Sequence, residues 1–489
     1  MNVQILRHLW PERILRRLPQ IPWSVGMVTV LALVLLFACF QAVLTLRSLK
    51  YLLALVVLGV LANFFLVLPR KFIFLQFMAG FSMPFYVELI LMDRDAGVLS
   101  ITGTFLILVS LAVVGIATGA TGDARILLEP RVLLPGAAFV CACLLSFINT
   151  SDQTLTLIAI LKQVEMFLVF LLLVNFIRRE QDLVWFLRGL YLGFIIECGI
   201  YVLQNILGFS FDLVGNTRWQ GKTDLETGRI GSQRGTFGTS PTMAALYFSV
   251  VSLSLIGMFL SRRRLPVRLN SLVGAASGVV CLILAAKRAP LGSFVLGMIT
   301  IAALCWKFAP QVRTRLFKIM AGLMIPILLG LPVLLLRAEA NHEADYEERV
   351  NLTRVAWLMF EANPVLGVGF GTYDSVKREY LPPDWSGWLN TVHNRYLSTL
   401  SETGVVGISC FILMLLMVLL TAYRGIFRIR SEFRPYQIAL VGGLVAIYWE
   451  MAWDIFLDRQ HEYLLWFIAA LAVIVPRALP AEPSTVESP

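Results

Sequence analysis

The sequence predicts an all-α polytopic integral membrane protein of about fourteen transmembrane helices with two longer outward-facing loops. Three observations predict it. The 489 residues are 58% hydrophobic and only 15% charged, against roughly 25% charged in an ordinary soluble domain. Mean hydropathy is +0.77. Apolar stretches repeatedly reach the roughly 20 residues that a helix needs to cross hydrocarbon. Together these exclude a hydrated soluble body and leave no room for a large separate domain.

Taken in order, the apolar segments lie near 21–45, 49–68, 72–92, 99–119, 131–149, 154–176, 184–208, 240–260, 269–286, 291–309, 317–336, 402–423, 437–455 and 461–476. The stretch from Ile21 to Leu44 exceeds a signal-peptide h-region and carries no small-residue cleavage site, so it is expected to stay as a span. Cys39, Cys141, Cys143, Cys198, Cys281, Cys305 and Cys410 all fall in apolar stretches, without a CxxC pair, and read as small hydrophobes.

Charge orients these spans. Arg13, Arg16 and Arg17, then Arg70-Lys71, Arg178-Arg179, Arg262 to Arg264, Arg313 with Arg315, and Arg424 to Arg434 fall on one side of the fourteen-span count. Lys and Arg concentrate on cytoplasmic loops, so both termini are expected in the cytoplasm. The net charge of +10 then reflects topology rather than a nucleic-acid partner. The connectors 209–239 and 337–401 face outward and cap the membrane body, and 477–489 is a Pro- and Ser-rich cytoplasmic tail.

Within the spans, Lys162 and Glu165 stand one turn apart, placed either for mutual neutralisation or for a polar cavity. Glu197 is a further intramembrane charge. Near the last span, Tyr463 and Trp466 read as interfacial anchors beside His461.

Cations on the outward side need another explanation. Lys287 and Arg288, in AAKRAPLGS, form a very short connection on that side. They serve either as snorkelling residues or as a guanidinium-bearing phosphate site. Arg234 stands in RGTFGTSPTMAA just before a helix that Ser240 is placed to cap with Pro241 at its first position. Such an entrance suits either plain helix initiation or an anion. In VHNRYLSTLSETGVVG, His393 precedes Tyr396, Leu397 and Leu400 at helical spacing. An imidazole there serves as a structural hydrogen-bonding group or as a base for a hydroxyl. Glu402 either stabilises the following helix or orients a neighbour. The four histidines, His8, His342, His393 and His461, form no ligand motif, and no GxxxxGK[ST] loop is present, which argues against a metal site, a nucleotide cofactor and an ATP-driven pump.

These residues give the chain its resemblance. RGTFGTSPTMAA at 234–245, AAKRAPLGS at 285–293, LTRVAWLMFEANPVLGVGFGTY at 352–373 and HNRYLSTLSETGVVG at 393–407 resemble the O-antigen ligase and Wzy-type polysaccharide polymerase superfamily. The resemblance covers about 184–476, with 1–183 matching only in hydrophobic character. It implies a membrane glycosyltransferase of the bacterial inner membrane, GT-C-like and cofactor-free, acting on a polyprenyl-diphosphate-linked glycan at the outer face. By motif, His393 looks like the catalytic histidine and Arg234 and Arg288 like diphosphate-binding arginines. Arg354 looks like a third donor or acceptor contact, and Lys287, Asn394, Tyr396 and Glu402 like supporting residues. The implied partners are the lipid-linked donor, a saccharide acceptor, membrane lipids and other polysaccharide-assembly proteins. Length and the extra N-terminal spans lean toward a polymerase extending a lipid-linked repeat. The alternatives are a ligase acting on a lipid A core or a protein acceptor, and a transporter for which Lys162 and Glu165 are the main support.

Overall fold

The computed structural model describes residues 70–85, 88–94, 97–117, 127, 129–207, 233–237, 241–261, 265–323, 342–381, 391–454 and 459–481. The chain divides into two compact units, 1–74 and 75–489. In the first, the described residues are 70–74, which enter helix α1 (Lys71–Phe81). The expected spans 21–45 and 49–68 lie outside the described residues.

In the second unit a hairpin of β1 (Glu88–Arg94) and β2 (Gly97–Thr102), antiparallel with Arg94 opposite Gly97, leads into α2 (Gly103–Ala117). There follow α3 (Pro130–Leu145), α4 (Gln153–Phe176), α5 (Glu180–Leu207), α6 (Pro241–Leu260), α7 (Leu265–Ala285) and α8 (Arg288–Phe308). Then come α9 (His342–Ala362), α10 (Arg395–Arg428), α11 (Arg434–Glu450) and α12 (Arg459–Ala478). Among the described residues, eight helices are long and apolar enough to cross a membrane: α3 with its extension to Asn149, α4 to α8, α10 and α12. The protein is therefore a polytopic membrane protein.

The expected span at 72–92 is corrected, and the one expected at 99–119 is helical only from Gly103. α1 ends at Phe81, shortly before Pro84, and the apolar run from Glu88 is strand. Short apolar runs such as ELILM and VLSIT score as span by composition, yet they suit a strand equally. The loop expected over 337–401 contains α9, and the span expected to reach 455 stops helically at Glu450.

Packing follows from small residues. A Cβ on Gly278 of α7 would meet Ser252 Oγ of α6 at 2.1 Å, and one on Gly297 of α8 would meet Leu253 Cδ1 of α6 at 2.4 Å. One on Gly257 of α6 would meet the Ala439 Cβ of α11 at 2.2 Å. Missing side chains let these helices approach closely, the usual basis of helix association in a membrane. α6 is buried around nearly its whole circumference, which is why its sequence shows no polar stripe.

The bundle has two ends. One gathers the starts of α3 and α5 with the ends of α8, α10 and α12. There Arg430 pairs with Glu180 and Arg477 with Glu129, both at 2.7 Å, and Arg434 donates to Phe308 O at 3.3 Å. The other gathers the starts of α6, α8, α10 and α12 with the ends of α7 and α11.

Tyr463 and Trp466 are not interfacial anchors: both are buried in the bundle. Trp466 lies 4.9 Å from Phe167 between ring centroids, and Tyr463 donates to Glu165 Oε1 at 2.6 Å. Thr102 also donates to Glu165 at 3.2 Å, so the α4 carboxylate ties the hairpin to α12.

Candidate active site

The site is built on the turn that follows α11. Its own backbone closes through Ala452 N to Trp449 O at 3.0 Å, and through Trp453 N and Asp454 N to Glu450 O at 2.9 and 3.0 Å. The carbonyls left over receive the segment that opens α10. Arg395 N donates to Met451 O at 2.7 Å, Asn394 Nδ2 to Ala452 O at 3.1 Å and the Tyr396 hydroxyl to Tyr448 O at 2.9 Å. Asn394 is also the N-cap of α10, its Oδ1 accepting from Leu397 N at 3.0 Å. A capping Asn satisfies an otherwise orphaned helix donor, and here its amide nitrogen fixes the cap to the turn as well.

His393, the residue before this cap, places Nδ1 3.2 Å from Asp454 Oδ1. An ionised carboxylate only accepts, so in the neutral ring this contact puts the proton on Nδ1 and leaves Nε2 as the acceptor. The ring is 24% exposed and Asp454 14%, which leaves the imidazole reachable while its partner is largely enclosed. Arg349 of α9 reaches the same turn, donating to Trp453 O at 2.9 Å.

Arg288 is the first residue of α8 and is exposed, with Lys287 as the N-cap residue and Ala286 at φ +50° making the reversal from α7. Pro290 sits in the first helical turn, where a missing N–H costs nothing. The start of α8 rests on the end of α11: Ser293 Oγ donates to the buried Glu450 Oε2 at 2.5 Å, and Gly292 leaves room for Trp449 Nε1, which a Cβ would meet at 3.2 Å. Trp449 and Glu450 lead directly into the turn that holds His393, so the Arg288 end of α8 and the histidine share one support.

Arg234 opens a tight turn in which Phe237 N donates to Arg234 O at 3.3 Å, just ahead of α6 and at the same end of the bundle. It is partly buried. Ser240, the expected cap of α6, lies outside the described residues.

Glu402 supports a loop rather than the histidine. Its Oε1 accepts from Tyr373 N at 3.0 Å, and Gly371 N is a further backbone donor to the carboxylate. Val368 N and Gly369 N donate to Ser401 O and Glu402 O at 3.1 and 3.0 Å. α10 breaks at Gly404, φ +62° and ψ −165°, a conformation open essentially to glycine alone. A Cβ there would lie 2.3 Å from Val365 C, and Val405 N takes Pro364 O at 2.8 Å. The Gly-rich stretch is thus clasped to the kink. Tyr373, whose hydroxyl donates to Leu352 O at 3.1 Å, carries the clasp to α9, and burial pushes its phenol up. Leu352, Val355, Ala356 and Met359 form the buried face of α9, and Arg354 stands exposed on the other face.

The sequence reading missed Asp454, Glu450, Arg395 and Arg349. Asp454 and Glu450 had a usable signal, because carboxylates inside the apolar stretch 437–455 are costly unless employed. Arg395, within HNRY, is buried and donates to Glu462 Oε1 at 3.1 Å, a partner that only the fold brings near. Among the described residues no three His, Cys, Asp or Glu side chains converge as a metal-ligand set.

With this geometry in view, residues 235–412 match the Wzy_C family, described as O-antigen ligase. This segment carries an O-antigen ligase domain. The match supports assigning this segment to that superfamily and, with it, a transferase-like role. No curated protein matches the chain. The O-antigen ligase domain includes Arg288, Arg354, His393 and Glu402, begins one residue after Arg234, and ends within α10. Asp454 and Glu450, which support His393 and the start of α8, come from α11 and the turn after it, beyond the matched segment.

Proposed function

We propose that the protein transfers a glycan from a polyprenyl-diphosphate carrier to a hydroxyl of a saccharide acceptor, at the outer face of the bacterial inner membrane. The observation that carries this reading is the shared support of the 449–454 turn. It holds His393 with a free Nε2 and, through Glu450 and Trp449, seats the helix start that presents Arg288.

In this reading the acceptor hydroxyl gives its proton to Nε2 of His393 as its oxygen bonds to the anomeric carbon. The bond from that carbon to the diphosphate breaks, and the diphosphate leaves with the electron pair. Asp454 stabilises the imidazolium, while Arg234 and Arg288 meet the growing phosphate charge. A single displacement inverts the anomeric centre and calls for no metal. In the same reading Arg354, exposed on α9, is available to the donor diphosphate or to the acceptor. The opposite end of the bundle carries Arg178, Arg179, Arg313, Arg315, Arg428, Arg430, Arg434 and Arg477, which supports a cytoplasmic assignment there and a periplasmic one for the site.

The matched domain is described as a ligase, and this favours transfer to a terminal acceptor such as a lipid A core over the polymerase reading that the length favoured. The N-terminal region 1–183, outside the matched segment, is what still speaks for a polymerase. The transport reading weakens because the Glu165 carboxylate is engaged structurally by Tyr463 and Thr102.

The deciding experiment is accumulation in a deletion strain. Long unattached lipid-linked chains support the ligase; single lipid-linked repeats replace it with the polymerase. Proteoliposomes given donor and acceptor test transfer itself, and vectorial movement without bond formation would overturn the enzyme reading.

A further inference from the structure

Glu197 is an intramembrane charge that neither the family motifs nor the histidine arm uses. It is wholly buried on α5, and so is Gln204, two turns later on the same face. Both point at one object, the RGTF turn. The two carboxylate oxygens of Glu197 accept from Thr236 N at 2.8 Å and Thr236 Oγ1 at 2.6 Å. Gln204 pairs both ways with the neighbouring peptide, donating Nε2 to Gly235 O and accepting from Gly235 N, each at 2.9 Å.

The turn has no slack against this pair. Gly235 is at φ +64°, and a Cβ on it would lie 2.0 Å from Glu197 Oε1. Thr236 Oγ1 also lies 3.1 Å from Pro84 O, and Phe237 is buried with its ring 5.0 Å from Tyr247 between centroids. Four polar contacts from one helix face therefore fix the two residues that follow Arg234, and the apolar anchor at Phe237 fixes the far side.

A buried carboxylate is costly unless hydrogen-bonded in full, and a plain helix connection needs none. We propose that Glu197 and Gln204 are positioning residues whose shared task is to hold the Arg234 backbone so that its guanidinium is preset for the donor diphosphate. Donor affinity depends on them although neither touches the donor. This deepens the reading of Arg234 as a donor contact and rests on it. Preorganisation matters because a mobile arginine gives up side-chain and backbone entropy on each binding event.

The test uses the purified full chain in nanodiscs, with polyprenyl diphosphate, the carrier common to any lipid-linked donor, as the binding probe. Glu197→Leu and Gln204→Leu are each expected to weaken carrier binding about tenfold and to raise the donor KM alike, with the acceptor KM within about twofold. Glu197→Gln restores binding to within about threefold, since its amide oxygen still accepts from Thr236 N and its nitrogen donates to the hydroxyl. A merely structural role would lower kcat and both affinities together in the Leu variants, and that result, or unchanged carrier binding, would overturn the proposal.

A second readout needs no turnover. A nitroxide on Arg234→Cys is expected to be immobilised alone and with Glu197→Gln, and mobile with Glu197→Leu in protein that elutes as a single species; equal spectra in all three overturn the cradle. Should the wild type bind carrier but transfer nothing to any saccharide, the glycosyltransfer reading fails while the cradle stands.

Discussion

The two arms of the site are held by different means. The Arg234 turn hangs on side chains, a buried carboxylate and a buried amide reaching across from α5. The His393 segment is held by more separate contacts: Arg395 N, the Asn394 amide and the Tyr396 hydroxyl reach the carbonyls of residues 451, 452 and 448, and Asp454 meets the ring. An anchor concentrated in two side chains loses half its contacts with one substitution; one spread over a backbone N–H and three side chains loses less. The Arg234 arm is therefore the one expected to be tunable by single changes, and the His393 arm the one expected to tolerate them outside the reacting groups.

Substitutions that ought to separate the two arms can be ranked by effect. His393→Ala should lower turnover by roughly 10²- to 10⁴-fold, the range of general-base catalysis, with carrier binding retained. If purified His393→Ala turns over near the wild-type rate, the histidine is only a binding residue. Arg288→Ala should cost about 1.5–3 kcal/mol, the worth of charged hydrogen bonds, read as weaker carrier binding and a lowered kcat with the acceptor KM unchanged. A rise confined to the acceptor KM would move Arg288 to the other substrate.

Asp454→Asn should lower kcat by about 10- to 100-fold, less than in a fully enclosed triad because both partners keep some solvent contact. Donor KM should hold steady; a change there would mean that the turn, and with it α8, had moved. Gly404→Ala attacks the chain path itself. It should cost at least about 1–3 kcal/mol for the backbone region, visible as a lowered Tm, and an unchanged Tm would show that the clasp is not rigid. Tyr396→Phe is the mildest. It removes one hydrogen bond of about 1 kcal/mol from an arm with several, so Tm should fall by a few degrees and kcat should stay within about twofold. A larger loss would show that the hydroxyl outweighs the other contacts of the arm.

Particular residues show how much was legible. Hydropathy located the helices from α3 to α8 because each is a long, predominantly apolar run, but it misread the hairpin at 88–102, where short apolar runs such as Leu89 to Met92 fit either structure. Arg234, Arg288 and His393 stood out because a basic or rare residue on the outward side lacks a topological reason. Arg354 stood in the same motif region, yet the fold puts it on the exposed face of α9, opposite the side that packs. For Glu402 the sequence leaves helix stabilisation and orientation of a neighbour both open; its partner, the backbone of the Gly-rich loop, is not foreseeable from spacing.

The sequence by itself determined the solvent of this protein and the chemistry it carries. Composition is a sum over residues, and a guanidinium or an imidazole is the same group wherever the chain puts it. Tertiary structure alone decided what holds those groups. Asp454 is 61 residues from His393, and Glu197 is 39 residues from Thr236. Contacts across such separations form only when helices close together, and no local pattern records which neighbours they bring.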